Sequence, residues 1–149
     1  MIVAFFGHSY LFYSRYIKDK VLELFESKIG DNAVFYLSGY RNFDMLAKKC
    51  CLMYKQNHQS AKLYFITPFI DEKYLINRKY FMENIDDYIY PEIKRVPKCY
   101  AVSERNRWIV QNADLIIAYT PHNWGRAIKA VKYAEKLNKE IIYVGLHIE

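Results

Sequence analysis

Three places in the chain set a glycine beside side chains that could hold or protonate an anion: Gly7 with His8, Gly39 with Asp44 downstream, and the run Trp124, Gly125, Arg126. Glycine lets a backbone turn sharply or approach a ligand closely. Each of the three closely follows an apolar run, so it could equally serve the sterics of a tight turn. Arg126 offers planar, bidentate donors to a phosphate. It also opens a helical pattern, where free amide N–H groups and the positive end of the helix dipole favour an anion. Trp124 could stack on a base or cap the core edge. His8 and His122 have the chemistry of proton carriers, and equally that of solvated or hydrogen-bonded structural residues. Asp44, near a helix start, could cap that helix or hold a ribose. Arg105, with Asn106 beside it, adds charge from "ERNRWIVQNA". Arg107 is turned by ~200° from Arg105 on a helix, so only one of the two can face a site.

The elements that must position these residues follow from the apolar pattern. Continuous apolar runs at Ile2–Phe6, Ala33–Leu37, Lys62–Thr67, Asp114–Thr120 and Glu140–Gly145 predict strands buried on both faces. Helical stripes lie between them. Ile17, Val21, Leu24 and Phe25 share one stripe, which Gly30 is expected to close as a C-terminal cap. Leu46, Cys50 and Met53 form a second, and Ala127, Ala130, Val131, Ala134 and Leu137 a third; Trp108, Ile109 and Ala113 mark one more helix. From Pro68 to Pro97 the pattern is poorly periodic and reads as a mixed helix and loop insertion over one sheet edge. Alternating strands and helices predict a single-domain, three-layer α/β Rossmann-like fold over residues 1–149, with about five mainly parallel strands. Ligands of such sheets lie beyond the carboxyl ends of the strands, and Gly7, Gly39 and Gly125 all fall there.

Composition narrows the partners. A formal net charge of +6 and a pI near 9.1 suit an anion: a nucleotide, a nucleic acid or a phosphorylated metabolite. The cations are scattered as "KDK", "KK", "IKR" and "RNR" rather than gathered in a basic stripe, which places nucleic acid behind a small nucleotide. The 15 Tyr and 9 Phe are enough for both a core and a pocket wall. Cys50 and Cys51 are adjacent and Cys99 is remote, giving neither CxxC nor a metal-ligand spacing with the four His, so no metal and no cofactor is expected. No apolar run approaches the ~20 residues that cross a bilayer, and the expected protein is soluble and cytoplasmic. Its oligomeric state is open.

"FFGHSY", "SGYRNFDMLA" and "SERNRWIVQNADLIIAYTPHNWGRAIKAVKYAEKLNKEIIYV" resemble, in order and spacing, the blocks of the SLOG superfamily. This Rossmann-like group includes DprA, the LOG phosphoribohydrolases and YpsA-like proteins. The resemblance spans nearly the whole chain, is strongest from Ser103 to Val144, and is closest to small YpsA-like or phage-type members. It implies binding of a nucleotide or nucleotide-derived ligand. It would place Gly7, His8, Gly39, Asp44, Arg105, Asn106, Asp114 and the Trp124–Ala127 turn around the pocket. Two departures bear on activity. Where family members carry a glycine cluster followed by Thr, this chain has Trp124, Gly125, Arg126 and Ala127; where LOG-type enzymes carry a catalytic Glu, it has Ala130. Nucleotide binding is therefore the leading expectation. An N-glycosidic-bond hydrolase or transferase acting on nucleoside monophosphates is the alternative, and would need Asp44, Glu104 or His8 as its acid or base. DprA-like nucleic-acid binding is a further alternative.

Overall fold

Alternate side chains of the central strands enter opposite cores, which is why their sequences read as unbroken apolar runs. In β1 (Ile2–Gly7), Val3 and Phe5 enter one cluster and Ala4 and Phe6 the other. In β5 (Leu115–Tyr119), Leu115, Ile117 and Tyr119 face the first and Ile116 and Ala118 the second. The computed structural model describes residues 1–39, 41–92 and 96–145; Tyr40, the "IKR" triplet at 93–95 and residues 146–149 lie outside the described residues. The first core is closed by α1 (Ser14–Lys28) and α2 (Asn42–Asn57), the second by α5 (Lys98–Asn112) and α6 (Arg126–Lys136). Three layers result.

The remaining elements are β2 (Val34–Leu37), β3 (Lys62–Ile66), α3 (Glu72–Asn77), α4 (Lys79–Met82), β4 (Asp87–Ile89) and β6 (Glu140–Tyr143). All strands pair in parallel, in the order β4-β3-β2-β1-β5-β6. The fold is thus Rossmann-like α/β, with a sixth strand beyond the five that the sequence suggests. That strand, β4, lies inside the 68–97 insertion and is short, partly exposed and opened by an acid, so no apolar run announces it. Neighbouring Asp86 secures it: its carboxylate accepts from Leu63 N at 2.8 Å and pairs with Lys55 at 2.8 Å. These contacts outweigh partial burial and hold the carboxyl below the ordinary range.

Helix rotation departs from the simplest reading in places. On α2 the buried stripe is Phe43, Ala47, Cys50, Cys51 and Tyr54, while Leu46 is partly buried and Met53 exposed. Phe43 sets this rotation because it packs where a side chain on Gly7 would otherwise stand. Lys48, on the same helix, is buried under the insertion and donates to Phe81 O at 2.6 Å. Leu137 lies past the end of α6 and is exposed. Gly30 does not cap α1 in a left-handed turn. The helix ends at an extended Ile29, whose carbonyl accepts from Tyr54 Oη at 2.8 Å. Asp114 is not a pocket residue: its carboxylate accepts from Ile2 N at 2.7 Å, tying the amino ends of β1 and β5 at the edge opposite the cleft described below.

The Gly7–Phe43 contact makes a stability prediction. A Gly7→Ala methyl would overlap the Phe43 ring, whereas a Gly30→Ala methyl meets nothing within 4 Å. Overpacking of this kind costs about 1–3 kcal/mol. Urea denaturation should show that loss for Gly7→Ala and a near-neutral Gly30→Ala; equal midpoints for the two variants would refute the role of the contact.

Candidate functional site

The strand order reverses at β1: the chain steps outward through β2, β3 and β4, then returns to place β5 and β6 on the other side. Loops at such a reversal diverge and leave a crevice beyond the carboxyl ends. A cleft of about 650 Å³ occupies that position. Gly7, His8, Gly39, Asp44, Arg105, Asn106, Trp124, Gly125 and Arg126 all line it. Asp114 and Glu104 do not, and Ala130 sits in the second core. Asp44 is consequently the one carboxylate among the described lining residues.

The glycines serve different ends. A side chain on Gly7 would collide with Phe43 and one on Gly39 with the Asp44 carboxylate, so both admit close packing of the first turn of α2. Gly125 alone of the three has a left-handed backbone, with φ 98°, and delivers the chain from the β5 loop into α6. Asp44 accepts from Arg41 N at 3.3 Å and so does cap the start of α2, while remaining on the cleft wall. Desolvation raises its carboxyl to about 6, against the opposing pull of the Arg41 backbone N–H and the charges of Arg105 and Arg41.

Arg105 is the buried cation of the site. Its Nη1 donates to Ile66 O and its Nε to Asn106 Oδ1, both at 2.8 Å. Two of its five N–H groups are used in this way, and the residue lines the cleft. Burial lowers its pKa to about 10, with Arg126 and Arg78 pushing in the same direction and Tyr74 and Asp44 opposing, so it stays charged at neutral pH. Arg107, two residues on, lies instead over the Tyr133 ring at 4.3 Å.

His8, His122 and Trp124 form a stack, with ring centroids 3.6 Å and 3.7 Å apart. Trp124 is 66% exposed, so it does not cap the core edge. His8 Nε2 lies 2.8 Å from His122 O. A carbonyl only accepts, so the His8 proton is on Nε2 and Nδ1 keeps its lone pair. Burial lowers the His8 pKa, a further small push coming from His122 and the hydrogen bond to His122 O opposing both; neutral pH therefore leaves the ring uncharged.

Several lining residues were not singled out from sequence. Arg41 adjoins the glycine loop, and its neighbourhood "YRNFD" was a usable signal. Phe69, Tyr74 and Arg78 come from the insertion, where α3, capped by Asp71 accepting from Tyr74 N at 3.1 Å, swings them onto the cleft wall. Arg78 lies over the Tyr74 ring at 4.2 Å. No local pattern marks them, because the insertion's path over the sheet decides their place. Arg41, Arg78, Arg105 and Arg126 thus share the cleft with a single carboxylate, on which Arg105 and Arg41 act. Among the described residues no group of three His, Cys, Asp or Glu could hold a metal, and no helix is long and apolar enough to cross a membrane.

Fold and cleft together define a Rossmann-type α/β protein with an arginine-lined crevice at its topological switch point. No protein-family model and no curated protein matches the sequence. Among solved structures, DNA processing protein A (DprA) from Helicobacter pylori, described for its single-stranded DNA binding mode, is similar with a TM-score of 0.67 at 17% identity, over 100% of this chain and 67% of that one. DprA from Streptococcus pneumoniae is similar with a TM-score of 0.64 at 14% identity, over 98% of this chain and 50% of that one. At these identities the likeness is one of fold.

Asp44 sets a measurable linkage. A carboxyl raised to about 6 binds its proton more tightly in the folded state, so stability falls as pH rises from the ordinary value of 3.8 through 6. The whole cost, at most about 3 kcal/mol, is present above that window. Asp44→Asn should therefore stabilise the protein by about 1–3 kcal/mol at pH 8 and by almost nothing at pH 4. Chemical denaturation at the two pH values checks this, and an equal effect at both would show that the carboxylate is not desolvated.

Proposed function

We propose that this chain, acting as one domain in the cytoplasm, binds a nucleotide or nucleotide-derived ligand in the switch-point cleft. The single observation that carries the reading is the convergence of four arginines on a crevice with only one carboxylate, beside the exposed Trp124 ring. Arg126 and Arg105 would hold phosphate, Trp124 would stack on a base, and Asp44 with Gly39 and Gly7 would border the sugar. The kinship with small YpsA-like or phage-type members belongs to the same proposal. Its test is a thermal-shift and calorimetry screen of mononucleotides, dinucleotides and ADP-ribose-like compounds. Saturation at ~100 times the dissociation constant should stabilise by ~2.7 kcal/mol. Arg126→Ala should weaken a phosphorylated ligand by ~1.5–3 kcal/mol, or roughly 10- to 150-fold. A screen without any shift, or unchanged affinity in the variant, would overturn the reading.

A second reading, nucleic-acid binding, is favoured by the DprA-like fold, since the Helicobacter pylori relative is described as a single-stranded DNA binder. In that case the cleft would take one nucleotide of a strand.

Hydrolysis of the N-glycosidic bond finds less support. Ala130 is in the core, Glu104 does not line the cleft, and Asp44 already caps α2. Without a carboxylate at position 130, the ~10² to 10⁴ in rate that acid/base assistance supplies would have to come from Asp44 or His8. Chromatography of nucleoside monophosphates after long incubation should show no free base. Base released in proportion to protein, and lost in Asp44→Asn, would restore the hydrolase.

A further inference from the structure

Asp44 is fixed in the cleft wall with half of its carboxylate unused. Its Oδ2 caps α2, accepting from Arg41 N at 3.3 Å, and the carboxylate fills the space beside Gly39 that a side chain there would need. Swinging out of the wall would cost the helix its cap. The other oxygen, Oδ1, has no hydrogen-bond partner among the described residues. Because Asp44 lines the cleft, an acceptor with free lone pairs belongs to the wall of a site otherwise rich in arginine.

The charges around Asp44 decide which anion tolerates that acceptor. Arg41 and Arg105 act on Asp44, and Arg126 and Arg78 act in turn on Arg105. An anion held by Arg105 therefore comes to lie beside a fixed carboxylate, at the junction of the proposed sugar and phosphate positions. A sulfate or a phosphodiester brings only lone pairs to that meeting, so two acceptors face each other and repel. A phosphomonoester differs, because it loses its second proton near pH ~6 and below that can donate a P–O–H to the carboxylate. Desolvation raises the Asp44 carboxyl to about 6 as well, so the two oxyanions compete evenly for one proton. A hydrogen bond between such partners is of the strong, charge-assisted kind. The other titratable or charged groups lining the cleft are His8 after β1, Tyr10, Tyr74 and Arg78 of the insertion, His122 after β5 and Arg126 at the start of α6. Histidine is the other side chain that changes charge near neutral pH, so its effect has to be separated from that of Asp44.

We propose that Asp44 is a specificity-determining residue of the cleft: its carboxylate shares one proton with the ligand's terminal phosphate, so the site selects a phosphomonoester over a phosphodiester or a sulfate. No covalent bond of the ligand changes; the proton arrives with the ligand or from solvent and lies between the two oxygens. This rests on the phosphate reading of the cleft. The test is calorimetry at pH 6 on the intact protein and on Asp44→Asn, with two pairs of probes that differ in that proton. Inorganic phosphate is compared with sulfate, and adenosine 5′-monophosphate with its phosphate methyl ester. Asparagine keeps an oxygen for the Arg41 N–H, so the helix cap and the fold should persist, as melting curves will show. The intact protein should bind phosphate and the monophosphate at least ~10-fold tighter than their partners, the scale of one charge-assisted hydrogen bond. Asp44→Asn should lose the preference, chiefly because sulfate and the methyl ester bind tighter once the carboxylate is gone. Raising the pH to 8 removes the shared proton and should weaken the monophosphate in the intact protein but not in Asp44→Asn. A fall of equal size in both would assign it to a histidine and overturn the role of Asp44. So would equal affinities within each pair for the intact protein, or a preference that survives Asp44→Asn, and in either case the cleft reading stands. If none of the four probes binds, both proposals fall.

Discussion

The docking of the first turn of α2 against the ends of β1 and β2 is the contact on which the rest of the molecule depends. Phe43 occupies the space above Gly7 and the Asp44 carboxylate the space beside Gly39. A side chain at Gly7 would meet Phe43 down to its Cβ and press the helix from the sheet, whereas one at Gly39 would displace the Asp44 carboxylate. With it seated, Phe43 stacks on Tyr119 of β5 at 5.7 Å, and the carboxyl ends of β1, β2 and β5 are held as one surface. The same seating sets the rotation that sends Ala47, Cys50, Cys51 and Tyr54 into the first core.

On that surface the charges are arranged against their own mutual repulsion. Arg105 is buried, its guanidinium held by the Ile66 carbonyl and Asn106, and its neighbours include Arg78 and Arg126. Asp44 offsets part of this charge but is itself desolvated, so each ion in the cleft is held at some cost. A bound anion would relieve the repulsion among the guanidiniums and gain charge-assisted hydrogen bonds at once. Under the proposed reading, that is what a phosphate would supply. The His8–His122–Trp124 stack closes one side with flat ring surface, which suits a planar group.

The 68–97 insertion shows how an irregular segment can complete a regular fold. Its β4 extends the sheet edge, Phe81 enters the first core over the buried Lys48, and α3 with the Arg78 that follows it contributes Tyr74 and Arg78 to the cleft wall. One segment thus adds sheet, core and site. Its weak periodicity reflects these three different demands on neighbouring residues.

Much of the architecture was legible in the sequence because burial leaves a periodic mark on each element separately. Val3 to Phe6 and Leu115 to Tyr119 are apolar on both faces, so helices had to cover both sides, and strand-helix alternation made the sheet parallel. The same rule placed Gly7, Gly39 and Gly125 at the carboxyl edge; that Arg105 rather than Arg107 turns toward it was decided by the tertiary structure. What tertiary structure decided was which element lies against which. Met53 and Leu46 looked like core until Phe43 set the rotation of α2; Gly30 looked like a cap until Tyr54 took the carbonyl of Ile29. Asp114, which the family resemblance set near the pocket but whose place in the sequence suited the strand entry, bonds Ile2 N at the opposite edge, and Arg78 and Tyr74 had no mark of their own at all. Periodicity reports how far each residue is removed from water, whereas a site is defined by the neighbours that remove it, and those are set by contacts between residues far apart in the chain.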